Sequence, residues 1–502
     1  MAEQILLGID LGAESGRVMA GRWDGSRLAL EELHRFPNGP VELAGTLRWD
    51  APRLWQEIQH GLGLAARRFG RQVASVGVDT WGLDYVLLSQ SGELLGLPFC
   101  YRDTRTCGHL AETLHRVPRA EIFAATGAQF LEINTLYQWR AHHAASPEVF
   151  QAANTFLMMP DWLNWCLSGS RVAEFTDATT TQFCDPIRRT WSVELLQRLG
   201  LPMHCLPELV PPGTELGELR RSVGEATGLG SLPVIAPATH DTGSAVAAVP
   251  AAETGRPNWA YISSGTWSLV GIETGAPLLS ARALELNVTN EGGVDGTWRV
   301  LKNVMGLWLV QRCRQAFVDR GGTADYARLT ELAAAAPALR SLVDPDDPRF
   351  LNPSDMPAAM QAFCRETGQP VPADEGSLIR CALESLALKY AEVLTEIAEL
   401  GGEPIGVVHV VGGGSKNSLL NQLTADACRR PVLAGPAEAT VMGNILMQAR
   451  TLGELGSLPE LRAAVRTSGE MSRFEPTAES VEMWAEARHR FVRLCRRPVE
   501  IM

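Results

Sequence analysis

His240-Asp-Thr-Gly-Ser244 follows a short apolar run that begins at Pro233 and precedes small apolar residues at helix-compatible spacing. The pattern predicts a strand ending in a carboxylate, a glycine turn and then a helix. An aspartate at the mouth of a strand, beside a helix start, can accept a proton or face an anionic ligand. The same side chain can equally be a helix cap, with no chemistry at all. Three further turns with the composition to meet phosphate favour the chemical use of Asp241.

The first is in the stretch Ile5 to Gly25, where two apolar strands flank a turn containing Gly12, Ser15 and Gly16. This is a β-hairpin signal. Asp10 falls where the first strand ends, and Arg17 opens the second. Small turn residues let backbone N–H groups approach a phosphate, and Asp10 could hold Mg2+ through its waters. Taken alone, such a turn is usually only a turn. The stretch Trp259 to Ile272 repeats it, with small residues at Ser263-Ser-Gly-Thr266. Two domains that each open with this hairpin suggest a duplicated unit facing itself across a cleft. The third turn is Gly412-Gly-Gly414, between an apolar strand from Val407 and a helix. It is neither a Walker loop nor a dinucleotide fingerprint, but it can admit a nucleotide against bare backbone.

The strand Val73 to Asp79 runs into Thr80-Trp-Gly-Leu-Asp84. Carboxylates for hydroxyls and an aromatic face for C–H groups suit a sugar. Trp81 as core and Asp79 as a turn residue explain the local pattern as well.

The elements that must position these residues alternate between strand and helix, which predicts an α/β protein. Helices are expected at Leu54 to Phe69, Leu110 to Leu114, Ala120 to Thr126, Met158 to Gly169, Met305 to Gln315, Ala324 to Arg340 and Leu378 to Leu400. The aromatics between residues 98 and 185 read as core. Phe175 to Gln182 reads as a hydroxyl-rich loop, Asn287 to Asn303 as a polar loop and a strand, and Leu452 to Met502 as a helical tail. The polar segment Ala251 to Pro257 carries Gly and Pro and marks a boundary. The expected division is 1–250, 257–450 and a tail, 451–502, packed on the second domain.

At 502 residues the chain is long for one core, and two domains are the natural expectation. A net charge of -12 without a basic run argues against nucleic acid and anionic membranes. No apolar run reaches membrane-span length, and Met1-Ala-Glu-Gln4 leads straight into a strand without a signal-peptide pattern. Ten scattered cysteines without ligand spacing suggest reduced thiols and no structural zinc. A cytoplasmic protein is expected.

Several stretches together resemble the FGGY family of carbohydrate kinases, of the actin-like ATPase superfamily. They are Ile9 to Arg17, Gly77 to Asp84, Gly127 to Phe130 with Asn134 to Gln138, His240 to Thr242, Ser263 to Ser268, Thr289 to Gly293, Leu301 to Asn303 with Met305 to Trp308, and Val411 to Gly414. They run in family order from near the N-terminus to about residue 450. Trp81-Gly82, Asn303 and Met305 to Trp308 point to the branch that phosphorylates L-rhamnulose.

The resemblance implies two actin-like (ribonuclease H-like) ATPase domains with a catalytic cleft between them. It implies Asp241 as general base, and ATP contacts from Ala13, Glu14, Ser15, Gly16, Arg17, Thr266, Gln311 and Gly413. Gly82, His240, Asp241, Thr242 and Asn303 would line the ketose site, with Asp10 on the Mg2+. Glu14 stands where members of this branch often carry Ser. The Lys of the general family signature is missing near Asn134 to Trp139.

The nearest alternative is a kinase for another ketose, such as L-fuculose or L-ribulose. An alternative of another class is a non-catalytic actin-like nucleotide-binding protein. Asp10, Asp241 and both hairpins weigh against it. The partners expected are a small ketose and ATP, and a homo-oligomer is left open.

Overall fold

The computed structural model describes residues 3–322 and 325–495. They divide into two compact units. The first comprises Met1–Arg256, Glu273–Leu301 and Ala439–Gly469, and the second Pro257–Ile272, Lys302–Glu438 and Glu470–Met502.

In the first unit six strands form a mixed sheet in the order Thr214–Glu218, Pro233–Ala236, Val73–Thr80, Gln4–Leu11, Ser15–Trp23, Leu28–Pro37. The second, third and fourth of these run parallel, and the others antiparallel to their neighbours. Gln4–Leu11 is buried from Ile5 onward, as expected of a strand covered on both faces. The covering helices can be read from the glycines. A Cβ on Gly61, in the helix Ala51–Phe69, would lie 2.4 Å from Val18. One on Gly21 would lie 2.6 Å from Ile445, in the helix Ala439–Thr451. Val18 and Gly21 are three residues apart on one strand and so point to opposite faces. The two helices therefore sandwich the sheet.

The expected aromatic core is present. Trp139 is fully buried, with Phe150, Phe156 and Phe183 edge-on at ring separations of 4.8, 5.1 and 5.6 Å.

The second unit repeats the strand directions of the first. Ala260–Ser264 pairs antiparallel with Trp267–Thr274 and parallel with Val408–Val411. Val432–Ala434 adds in parallel, and Ser472–Phe474 closes that edge antiparallel. A 27-residue helix, Glu375–Gly401, starts at a capping box between Asp374 and Ser377 and ends at Gly402 in a left-handed conformation.

Several sequence expectations change. Phe175 to Gln182 is not a loop: Phe175–Ala178 is a helical turn and Thr179–Thr181 a 3-10 turn, all buried. Its hydroxyls serve its own backbone: Thr179, Thr180 and Thr181 donate to the carbonyls of Thr176, Asp177 and Ala178. Polar composition here means internal satisfaction, not solvent. Thr289–Gly292 is a buried strand paired with Trp298–Leu301, its polar side chains engaged inside the unit. Gly243 lies within the helix Asp241–Ala247, not in a turn before it. The C-terminal segment is not purely helical, because Ser472–Phe474 lies between the helices Leu458–Ser468 and Val481–Cys495. Leu458–Ser468 belongs to the first unit, where its fully buried Arg462 pairs with Glu273 at 2.6 Å. The helix expected over Ala324 to Arg340 spans Tyr326–Ala335, and residues 323–324 and 496–502 lie outside the described set.

Candidate active site

In the first unit, pairing of the parallel strands brings three carboxylates to neighbouring strand ends. Asp10 and Asp79 are direct register partners. Thr80 bridges to His240, and its backbone N–H donates to Thr239 O at 2.9 Å, which sets Asp241 beside the same edge.

Asp10 is paired across the hairpin with Arg17, whose Nη2 and Nε both donate to Oδ2, at 2.7 and 2.9 Å. Asp79 is fully buried; its Oδ2 accepts from Asn444 Nδ2 at 2.6 Å, while Oδ1 has no hydrogen-bond partner. Burial, and then the charge of Asp10, push the Asp79 carboxyl well above the ordinary aspartate range.

Asp241 occupies the first position of its helix, with His240 at the cap position and no side-chain cap bond, so the capping alternative is not realised. Its side chain keeps 30% exposure. It accepts from Thr242 Oγ1 at 3.1 Å and lies 3.5 Å from His240 Nε2. Burial raises its carboxyl above the ordinary value; His240 opposes that shift and Asp10 adds to it. Its helix is held close to Ala439–Thr451, since a Cβ on Gly443 would stand 1.9 Å from Ser244 O.

The turn from Ala13 to Ser15 is held by Asn38, whose Nδ2 donates to Gly12 O and whose N–H donates to Glu14 O, both at 2.8 Å. Gly16 has a packing reason to be glycine: a Cβ there would meet the Phe36 ring at 2.4 Å. Gly82 lies against Asp177 and Thr180, at 3.1 and 2.9 Å from where its Cβ would be.

Asp177 escaped the sequence reading. It is fully buried, and among the described residues neither carboxylate oxygen has a hydrogen-bond partner. Burial, then the charges of Asp161, Glu174, Asp241 and Glu291, push its carboxyl well up. Asp84, read as a sugar contact, instead ties the strand tip together. Its Oδ2 accepts from Trp49 and Trp81 Nε1 at 2.6 and 3.0 Å and from Tyr101 N at 3.2 Å. Its Oδ1 accepts from Gln138 at 2.9 Å. Trp81 is buried at 6% exposure, which fits its core reading.

The second unit gathers the other group. Gln311 Nε2 lies 3.4 Å from Thr266 Oγ1, and Gln311 Oε1 is buried with no hydrogen-bond partner. Trp308 N donates to Thr266 O at 3.1 Å. Gly414 packs so closely on Ser264 that a Cβ would reach its Oγ at 2.0 Å, whereas a Cβ on Gly413 would meet nothing within 4 Å. Gln311 thus meets the hairpin turn at Thr266, and Gly414, the neighbour of Gly413, packs on the strand that enters it. Asn303 lies on the strand Trp298–Met305 and belongs to the second unit.

Residues 5–248 match the N-terminal domain, and residues 260–452 the C-terminal domain, of the FGGY family of carbohydrate kinases. The chain belongs to this family. The FGGY chain is 44% identical over 474 residues to the rhamnulokinase of Bacteroides thetaiotaomicron, covering 94% of this chain and 96% of that one. It is 45% identical to the rhamnulokinase of Pectobacterium carotovorum, covering 96% and 95%.

Among solved structures it is similar to the xylulose kinase of Rhodospirillum rubrum, with 20% identity, a TM-score of 0.77 and 98% of each chain covered. The Plasmodium falciparum glycerol kinase with ADP superposes with a TM-score of 0.78 at 14% identity, covering 99% of each. The architecture is therefore the two-domain, actin-like ATPase fold of the FGGY sugar kinases, and the protein is an ATP-using carbohydrate kinase. No helix among the described residues is long and apolar enough to cross a membrane.

Proposed function

We propose that this FGGY kinase transfers the γ-phosphoryl group of ATP to the 1-hydroxyl of L-rhamnulose, in the cytoplasm. The observation that carries the choice of sugar is the identity above 40%, over nearly the whole chain, to relatives named rhamnulokinase. In this reading Gly82, His240, Asp241, Thr242 and Asn303 contact the sugar. Ala13 to Arg17, Thr266, Gln311 and Gly413 contact ATP.

Asp241 takes the hydroxyl proton onto a carboxylate oxygen as the sugar oxygen bonds to the γ-phosphorus. The bond to the β-phosphate oxygen breaks, and ADP leaves. Burial makes Asp241 a stronger base than an exposed aspartate. Most of the acceleration comes from placing hydroxyl and phosphate in line and countering phosphate charge.

Mg2+ fits the donors present. No group of three or more His, Cys, Asp or Glu among the described residues could cage a metal. Asp10, next to the unpartnered Oδ1 of Asp79, suits an ion that takes one or two protein carboxylates and completes its shell with phosphate oxygens and water. Bound there, the ion would offset charge on the phosphates.

The test is an ADP-release assay with Mg-ATP against L-rhamnulose, L-fuculose, L-ribulose and D-xylulose, with glycerol as an outgroup. The highest kcat/KM is expected for L-rhamnulose. A higher value for another ketose would reject the sugar assignment, and ATP binding without turnover on any sugar would reject catalysis.

A further inference from the structure

His240 makes two contacts that the reading above leaves unused. Glu291 and Arg299 are register partners on the buried hairpin formed by Thr289–Gly292 and Trp298–Leu301, and they form an ion pair, Nη1 to Oε2, at 3.0 Å. Arg299 is fully buried and each of its nitrogens has a use. Nε donates to Gly292 O at 2.9 Å, Nη2 to Thr176 O at 3.1 Å, and Nη1 to His240 Nδ1 at 3.1 Å.

A guanidinium has donors only, so Nδ1 is the acceptor in that bond and the ring proton sits on Nε2. Nε2 faces Asp241 Oδ1 at 3.5 Å. Glu291 Oε2 stands 3.3 Å from the same Nδ1, a competing partner farther away than Arg299 Nη1 at 3.1 Å. Burial alone would raise the Glu291 carboxyl, yet the charge of Arg299 holds it below its ordinary value, so it stays ionised and balances the guanidinium.

We propose that the buried Glu291–Arg299 pair is a positioning device that fixes His240 as the neutral ring with its proton on Nε2, aimed at Asp241 and at the hydroxyl Asp241 activates. The proposal rests on the assignment of His240 and Asp241 to the sugar site. A neutral ring can orient the carboxylate, or hand its N–H to a sugar oxygen, and leave the base free to take a proton. A doubly protonated ring would pair with Asp241 as a cation and weaken it as a base.

The charged groups around the ring are Asp241 on its own helix and Glu291 and Arg299 on the hairpin. Asp177 on the turn Phe175–Ala178 acts on the same cluster, and so does Asp10 at its strand end. Among the described residues Arg299 is the one cation within hydrogen-bond distance of Nδ1. Without it, Glu291 would draw a proton onto that nitrogen.

The deciding measurement is the 1H–15N NMR spectrum of the full chain with ring-labelled histidine, the His240 signals being identified by their loss in His240→Gln. Near neutral pH, a protonated Nε2 and a bare Nδ1 are expected in the native protein. An Nδ1–H ring or a doubly protonated ring overturns the proposal. This spectrum needs no turnover, so preference for another sugar leaves the tautomer assignment standing, and a wrong tautomer leaves the kinase reading standing.

Both Arg299→Gln and Glu291→Gln break the buried ion pair, so the kinetic arm uses the near-isosteric Glu291→Gln and counts only if its circular dichroism and thermal melt show a native fold. We expect it to lower kcat about 10–100-fold, the scale for partners that orient a functional imidazole, with KM for ATP and circular dichroism unchanged. An unchanged kcat, or KM for ATP rising in step with the loss, overturns the positioning role.

Discussion

Arg17 directs both its Nη2 and its Nε at one oxygen of Asp10, 2.7 and 2.9 Å away, across the first hairpin. The two side chains are 15% and 10% exposed, so little solvent screens them. The Arg17 guanidinium holds the carboxylate that stands in register with Asp79. Removing Arg17 strips the nearly buried Asp10 carboxylate of its guanidinium, which costs more than the pair itself is worth. We expect Arg17→Ala to destabilise the first unit by about 2–3 kcal/mol and Arg17→Ala/Asp10→Ala to be strongly non-additive. Urea unfolding of the four proteins of the cycle measures this, and a coupling near zero would show the pair to be incidental.

Asp241 is raised toward neutrality by burial, remains partly exposed, and has a histidine and a threonine on its oxygens. These are properties of a base that a substrate can reach. Asp241→Asn should reduce turnover about 10²–10⁴-fold, the usual range for a general base, while ATP still binds by calorimetry. Turnover within a few-fold of the native protein would remove the residue from the mechanism.

Asp84 couples stability to pH. Burial pushes its carboxyl up to about 6, against the opposing hydrogen bonds from Gln138, Trp49 and Trp81. A carboxyl raised on folding holds its proton in the native state after the unfolded chain has lost it. Its contribution is therefore fully present below about pH 4 and falls as pH rises to about 6. Asp84→Asn should destabilise the protein overall by stripping acceptor capacity from the Trp49–Trp81 contact. The native-minus-variant difference in unfolding free energy should shrink between pH 4 and 6, by up to about 3 kcal/mol. A difference that stays flat or grows over that interval contradicts the assignment.

How much of this was legible depended on the range of the interaction. The hairpin turns, the Asp10 strand end and the start of the Asp241 helix are set by residues within about ten positions, and local pattern found them. The duplicated order of strands was foreshadowed by the second hairpin at Ser263 to Ser268. Local pattern does not carry the roles of Asp177, Glu291 and Arg299: Glu291 and Arg299 pair within one hairpin, but what they act on, His240, lies some fifty residues away in the chain. Asn444, for instance, donates to Asp79 from 365 residues away. Hydroxyl-rich sequence misled at Phe175 to Gln182 for the same reason: composition does not say whether a polar group finds its partner in water or in the protein. Glu174 illustrates this, with its buried carboxylate accepting from both Thr176 and Thr239.

The triple-glycine turn separates packing from ligand approach at neighbouring positions. Gly414 is closed, with its Cβ position 2.0 Å from Ser264 Oγ, and Gly413 is open, with nothing within 4 Å. Gly413 is not in the left-handed region either, whereas Gly412 is, at φ 81°. A methyl group at 413 therefore costs the folded chain little. If the nucleotide lies against this backbone, the methyl group obstructs it. Gly413→Ala should raise KM for ATP several-fold, leave kcat at saturation close to native, and leave Tm unchanged. Gly414→Ala should instead lower stability by about 1–3 kcal/mol through overpacking against the hairpin, with activity lost in proportion to unfolding. Thermal melts and ATP titrations of the two variants decide the matter. An unaltered KM for ATP in Gly413→Ala would move the nucleotide away from this turn, and a Tm loss as large as that of Gly414→Ala would mean the open space at 413 is not there.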